Sequence, residues 1–270
     1  METAAATRRQ ANLRRLFEPD SVAILGASEI ATKPGGRPIV YLSETGFAGR
    51  VYPINPRHAE LFGYRCFPTL AALPELPDLI VVAIPANGVL GAVQDAAAAG
   101  VGAMVIYTSG FAELGPEGAG VEREIRDICA RTGLIVCGPN CQGLTNLFSG
   151  LAVNFSTALS EGQPRPGPVA IVSQSGLVGA LVTAECMGRG LGIGYLVSTG
   201  NEAGFEFADA VAYLADDARV GVIVGYLEGI RDIGRFRQAA ERARHNGKPL
   251  VILKVGRSPA AARVAATHTG

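Results

Sequence analysis

The sequence has no net charge, with 24 Lys and Arg against 24 Asp and Glu, so nothing in it favours nucleic acid or an anionic membrane surface. A small molecule is the expected partner. No apolar run is long enough to cross a bilayer: 48% of the residues are hydrophobic, but Gly, Pro or a charge interrupts the stretches every five to eight residues. Histidine is scarce, three in 270 residues, which leaves a zinc site few candidates, and no metal site is expected. The cysteines at 66, 129, 137, 141 and 186 form no CxxC pair and do not look like a disulfide framework, so reduced thiols are expected. The N-terminal METAAATRRQANLRRLF is basic and Ala-rich but has no apolar signal core. An amphipathic helix or leader over 1–19 is expected there, in a cytoplasmic protein.

What is present is alternation. Short β-branched runs, SVAIL (21–25), VYPIN (51–55), LIVVAI (79–84), AMVIYT (103–108) and LIVCG (134–138), are separated by helix-period segments such as 87–99 and 117–132. The runs are too uniformly apolar to have a wet face, which predicts a doubly wound parallel α/β sheet over 20–159. The stretch 160-SEGQPRPGP-168 has the composition of a linker. The pattern then restarts with VAIVS (169–173), IGYLVS (193–198), VGVIVGYL (220–227) and PLVILKV (249–255), with helices near 175–189, 205–215 and 232–246. A second α/β unit is expected over 169–270, with about four strands, fewer than such a sheet comfortably uses.

The strand ends carry loops of Gly, Ser, Thr, Asn and Pro, and ligands of such folds sit outside the carboxyl ends of the strands. In 24-ILGASEIATKPGGRPIVYL-42, Gly26 and Ser28 make a turn, and Gly35 and Gly36 precede a helix whose N-terminus suits a phosphate. As a dinucleotide fingerprint it is imperfect, because Ser28 stands where the second Gly belongs. The second strand ends YPINPRH, and Asn55, Pro56 and Arg57 replace the acid that holds the ribose hydroxyls of NAD. A cation there suits a phosphorylated ribose, as in NADP or coenzyme A. The third strand ends IPAN, where Ile84 and Pro85 make a tight turn into Ala86 and Asn87, and the next two run into YTSGFAELG and GPNCQGL.

Taken in order, GAS, YPINP, IPAN, YTSGFAE, GPNCQG, VSQSG, STGNE, LEGI and THTG resemble the nucleoside diphosphate-forming acyl-CoA synthetases, which include the succinyl-CoA synthetase α-subunit and the corresponding part of ADP-forming acetyl-CoA synthetases. The resemblance covers residues 20–270. It implies a CoA-binding Rossmann-like domain followed by a flavodoxin-like ligase domain, and an acid-thiol ligase that interconverts acid, CoA and ATP with acyl-CoA, ADP and phosphate through an acyl phosphate and a phosphohistidine. His268 in THTG becomes the candidate for phosphorylation, and Glu228 matches the acid that orients it. Ser173, Gln174, Ser175 and Gly176 match the phosphate-binding helix start, with Ser109 and Gly110 also toward the phosphate. Gly26, Ala27, Ser28, Lys33, Asn55, Pro56, Arg57, Ile84, Pro85, Ala86, Asn87, Glu113 and Asn140 match the CoA side. Asn201 and Glu202 of STGNE match a further signature, expected at the domain surface facing the cleft.

The chemistry agrees with this. An imidazole with an ordinary pKa of about 6.5 offers a lone pair near neutral pH, and a carboxylate at a buried strand end is well placed to fix its tautomer. The phosphoryl group calls for amides at a helix N-terminus, which VSQSGLVGA supplies. A hydrolase elbow would need Gly at position 173, where Ser stands. The family also charges its histidine from an ATP-grasp module that carries ATP or ADP and Mg, and no segment here is left to form one. A fused ATP-grasp domain or a separate β-subunit is therefore expected as partner, an oligomer as the assembly, and no turnover from this chain alone. Three alternatives stay open: a CoA-binding regulatory module without chemistry, the sensor part of a protein acetyltransferase, and an NADP-dependent oxidoreductase.

Overall fold

The computed structural model describes residues 2–160 and 164–256. The described residues form two large sheets and one two-stranded hairpin. The chain opens with α1 (Glu2–Phe17) and then builds β1 (Ser21–Leu25), α2 (Arg37–Glu44), β2 (Arg50–Ile54), a small hairpin of β3 (Glu60–Leu61) and β4 (Tyr64–Arg65), β5 (Leu79–Val82), α3 (Ala86–Ala99), β6 (Ala103–Ile106), α4 (Pro116–Thr132) and β7 (Ile135–Cys137). The first sheet is entirely parallel, in the order β2-β1-β5-β6-β7. Alternate residues of each strand enter different cores. Val22, Ile24, Val81 and Val105 pack with Leu16, Ile39 and Leu42 from α1 and α2, whereas Ala23, Ile80, Val82 and Met104 pack with Val89, Val93, Ile125 and Ile128 from α3 and α4. Two covered faces explain the unbroken apolar runs. Gly100 and Gly133, at φ +85° and +77°, end α3 and α4 in the left-handed conformation that glycine adopts at least cost.

The second sheet runs β13-β12-β10-β11-β8-β9. Its parallel part is β10 (Val169–Ser173), β11 (Ile193–Ser198), β12 (Val222–Leu227) and β13 (Leu250–Lys254), connected through α5 (Gly176–Gly188), α6 (Phe207–Asp216) and α7 (Ile233–His245). Its other two strands, β8 (Gly143–Asn146) and β9 (Leu151–Asn154), form a hairpin that pairs antiparallel with β11, Leu196 opposite Thr145. The sheets therefore divide just after β7, upstream of the Pro- and Gly-rich stretch at 160–168, and the second sheet has six strands among the described residues where about four were expected. Thr145, Asn146 and Asn154 hide this hairpin from an apolar-run reading: they are polar yet fully buried.

One core spans both sheets. Phe17, at the end of α1, stacks on Tyr213 at 4.1 Å and meets Tyr195 and Phe205 edge-on. Its carbonyl accepts from Asn146, Asn12 donates to Gly133 O, and Arg9 pairs with Asp209 at 2.8 Å. The helix expected over 1–19 is thus an inter-sheet brace. All five cysteines are unbridged. No helix among the described residues is long and apolar enough to cross a membrane.

Candidate functional site

The strand order of the first sheet reverses between β1 and β5, and a cleft of about 780 Å³ opens at their carboxyl ends. Gly26, Ala27, Ser28 and Lys33 line it after β1, Asn55, Pro56, Arg57 and His58 after β2, and Ile84 and Pro85 after β5. Gly26 has φ +86°, and a Cβ there would lie 2.5 Å from Ala83 O, so no other residue fits without moving the backbone. Asn55 is committed to architecture. Its Nδ2 donates to Ala27 O at 2.7 Å and its Oδ1 accepts from Arg57 N at 3.0 Å, which locks the two ligand loops together. Lys33 and Arg57 remain exposed at the rim, where a phosphate can reach them.

Two expectations change here. The amides that open α2 are used internally, Gly36 N and Arg37 N on Lys33 O, and Pro38 has none, so this helix start offers no spare donor to an anion. Ala86 and Asn87 belong to the first turn of α3 and do not line the cleft.

A second cleft, of about 450 Å³, lies between the sheets. Ser109 and Tyr107 reach it from the β6 end, Asn140, Cys141 and Gln142 from the segment joining the sheets, and Gln174, Ser175, Gly176 and Leu177 from the start of α5. Here the helix start is available. Ser175 is the N-cap, its Oγ accepting from Val178 N at 3.4 Å, and Gly176 and Leu177 occupy the first turn, whose amides have no intrahelical partner. A Cβ at Gly176 would meet Gln142 Cγ at 2.5 Å, so a bare Cα keeps the turn close to the joining segment. Cys141 is buried and donates its thiol to Ile106 O, a packing role.

The YTSGFAE loop is latched from across the molecule. Gly110 N donates to Glu113 Oε1 at 2.5 Å, and Asn201 Nδ2 donates to Glu113 Oε2 and Glu122 Oε1, both at 2.6 Å. Although burial opposes its charge, these bonds hold the Glu113 carboxyl below its ordinary range. Glu113 and Gly110 therefore shape the loop, and Tyr107 and Ser109 are its residues that line the cleft. Asn140 Nδ2 donates to Asn201 Oδ1 at 3.2 Å, so this latch also reaches the joining segment.

Glu228 sits at the β12 end, buried, beside the Ser173–Gly176 turn. Its amide donates to Gln174 Oε1 at 2.6 Å, and its carboxylate accepts from Tyr226, whose phenol is raised by burial and then by the Glu228 charge. His268 lies outside the described residues. Asn201 and Glu202, expected at the domain surface facing the cleft, are instead buried, and the latch of Asn201 carries no pattern that spacing reveals, since its partners Glu113, Glu122 and Asn140 come from distant segments.

Two family models match, a CoA binding domain over residues 20–146 and a succinyl-CoA ligase like flavodoxin domain over 166–270. The chain is 40% identical over 257 residues to a trans-feruloyl-CoA synthase, FCS1, of an unknown prokaryotic organism, covering 95% of this chain and 36% of that protein. It is 35% identical over 254 residues to subunit alpha of the ADP-forming acetate–CoA ligase II of Pyrococcus furiosus, covering 94% and 54%. The solved structure of Ca. Korarchaeum cryptofilum dinucleotide forming acetyl-coenzyme A synthetase 1, in complex with phosphate and ADP, superposes with a TM-score of 0.85 at 37% identity, over 96% of this chain and 55% of that one. The chain spans between about a third and somewhat over half of the length of these relatives. Matched across both of its sheets, the chain belongs to the NDP-forming acyl-CoA synthetase family, of which it carries the CoA-binding and flavodoxin-like parts.

Proposed function

We propose that this chain is the CoA-binding and phosphohistidine part of an NDP-forming acyl-CoA synthetase. One observation carries the reading: the inter-sheet cleft brings Ser109 and Asn140 from the first half of the chain against the Ser175–Gly176 helix start of the second, beside the buried Glu228. A thioester bound from the first domain and a phosphate held at α5 can meet there. A phosphate oxygen attacks the thioester carbonyl, the C–S bond breaks and CoA leaves as thiolate. His268 nitrogen then takes the phosphoryl group from the acyl phosphate and the carboxylate is released. Amides at the helix start stabilise the phosphoryl charge, and Glu228 orients the imidazole.

In the first cleft, CoA places its ribose phosphate toward Arg57 and Lys33, and the Gly26–Ser28 turn lets the chain approach its pyrophosphate. The phosphohistidine is exchanged with ATP or ADP, together with Mg²⁺, on an ATP-grasp part that is fused or a separate subunit. The greater length of the relatives supports such a partner. The acid is one of those acyl groups whose CoA thioester enters the cleft, acetyl and feruloyl being those named for the relatives above.

The test is to incubate the chain with radiolabelled phosphate and acetyl-CoA or feruloyl-CoA and to look for acid-labile, base-stable phosphate. The expected label sits on His268, vanishes in His268→Ala, and leaves CoA binding by that variant unchanged. Label on serine, or on no residue, overturns the mechanism. Binding of CoA without label in any acyl-CoA would instead point to a regulatory module.

A further inference from the structure

We propose that Gln142 binds the phosphate in the inter-sheet cleft: its side-chain amide donates to the anion held at the start of α5. The inference rests on the functional reading above and adds to it a donor from the segment that joins the sheets.

The need for such a donor follows from what lines the cleft. Among the described residues around it there is no Lys, Arg, Asp or Glu. A phosphoryl group carries about two negative charges on three oxygens near neutral pH, so neutral donors have to hold it. The helix start supplies part of the set. Val178 N is taken by Ser175 Oγ, which leaves the amides of Gly176 and Leu177. Three carboxamides also line the cleft, and two of them are committed elsewhere. Asn140 Nδ2 donates to Asn201 Oδ1 at 3.2 Å, whereas Gln174 Nε2 donates to Gly229 O at 2.9 Å and its Oε1 accepts from Glu228 N at 2.6 Å. The third, the amide of Gln142, bonds to nothing among the described residues.

Its position is fixed although its amide is uncommitted. Gln142 N donates to Ser198 Oγ at 3.1 Å at the end of β11, and Gln142 O accepts from Phe155 N at 3.2 Å just past β9. Cys141 before it is buried with its thiol on Ile106 O, and Gly143 after it begins β8. From this anchored backbone the side chain crosses the start of α5. The heavy atoms nearest to a Cβ built on Gly176 are Gln142 Cγ, Cδ and Cβ, at 2.5, 2.7 and 3.2 Å. The carboxamide carbon therefore lies against the residue whose N–H opens the helix. A half-buried side chain pressed onto a bare Cα has few rotamers left to lose when a ligand arrives. An uncommitted amide turns its NH₂ to an anion, and the resulting bond is charge-assisted, about twice as strong as one between neutral groups. The donor meets phosphate before any bond is made or broken, so its contribution is read in phosphate saturation.

Gln142→Met keeps an unbranched chain over Gly176 and removes the donor. In single-turnover labelling with radiolabelled inorganic phosphate and acetyl-CoA or feruloyl-CoA, Q142M is expected to raise the half-saturating phosphate concentration at least about 10-fold, the worth of one hydrogen bond to a charged group. The half-saturating thioester concentration stays within about 2-fold, and so does calorimetric CoA affinity at the first cleft, which shares no lining residue with this one. A residue that merely packed would lower the melting temperature and leave the phosphate dependence alone. Gln142→Glu keeps the shape and puts a like charge beside the phosphate, so it raises the same concentration further than Met does, and it carries the test should Q142M fail to fold. A phosphate dependence equal to that of the unsubstituted chain in either folded variant overturns the inference while the functional reading stands. An unsubstituted chain that takes no label with either thioester overturns both.

Discussion

At the residue scale, Glu202 is a buried carboxyl whose energetics give a prediction independent of catalysis. Burial, set against hydrogen bonds from Gln174, Thr199 and Phe207, pushes its carboxyl from 4.5 up to about 7. The folded chain therefore holds this proton more tightly than the unfolded chain. Its stabilising effect is complete below pH 4.5 and is lost as pH rises through 7, a change on the order of 3 kcal/mol. Glu202→Gln removes the titration, so the stability of the parent chain relative to the variant, measured by urea unfolding, falls steadily across that interval. A difference that is flat with pH would show the carboxyl to be ionised throughout. Arg57 poses a complementary case. It is exposed at the rim of the first cleft, and Arg57→Ala is expected to weaken CoA by about 10-fold, the worth of one charge-assisted bond, while leaving dephospho-CoA within about 2-fold. Equal losses for the two ligands, by calorimetry, would place the ribose phosphate elsewhere.

At the scale of the element, α1 does more than its amphipathic sequence announces. Phe17 is fully buried where the two sheets meet, stacked on Tyr213 and edge-on to Tyr195 and Phe205. Phe17→Ala leaves a cavity bounded by rings from three separate segments that cannot collapse together, so a loss of about 3–5 kcal/mol is expected in denaturant unfolding. A loss below about 1 kcal/mol would mean that the helix is dispensable. Most strands were legible because burial on two faces writes itself as an apolar run, as in SVAIL and VAIVS. The β8–β9 hairpin was not, since Thr145, Asn146 and Asn154 are polar residues buried by a neighbour strand that arrives only after residue 193. The site divides in the same way. Loops rich in Gly, Ser and Asn mark strand ends that open into clefts, so Gly26, Ser109 and Ser175 could be read locally, whereas Asn55 as a loop lock and α2 as a helix with no spare amide depend on hydrogen bonds that spacing does not encode.

At the scale of the whole molecule, the inter-sheet cleft is only as well formed as the contacts that hold the two sheets together around it. Asn201 is the centre of those contacts. It follows β11, yet its side-chain amide gathers Glu113 and Glu122 from the first half, accepts from Asn140 of the joining segment, and its carbonyl accepts from Arg231 at 2.8 Å. Two carboxylates thus share one donor, and the amide between them is what lets both be present. Asn201→Ala should remove that donor from both carboxylates at once. The expected result is a loss of about 2–4 kcal/mol in denaturant unfolding. Hydrogen exchange should locate the damage. Amides of 107–115 and 138–142 are expected to lose protection, whereas those of β1 and β12, strands that carry none of the latch residues, keep theirs. Uniform loss across both sheets would mean that Asn201 supports the fold at large, and unchanged exchange in the YTSGFAE loop would mean that the loop needs no latch. The α5 helix start, where we place the phosphate, and Ser109 opposite it belong to different sheets, so in the local outcome the phosphohistidine formation proposed above is expected to fall together with loop protection, while CoA binding at the β1–β5 cleft is not.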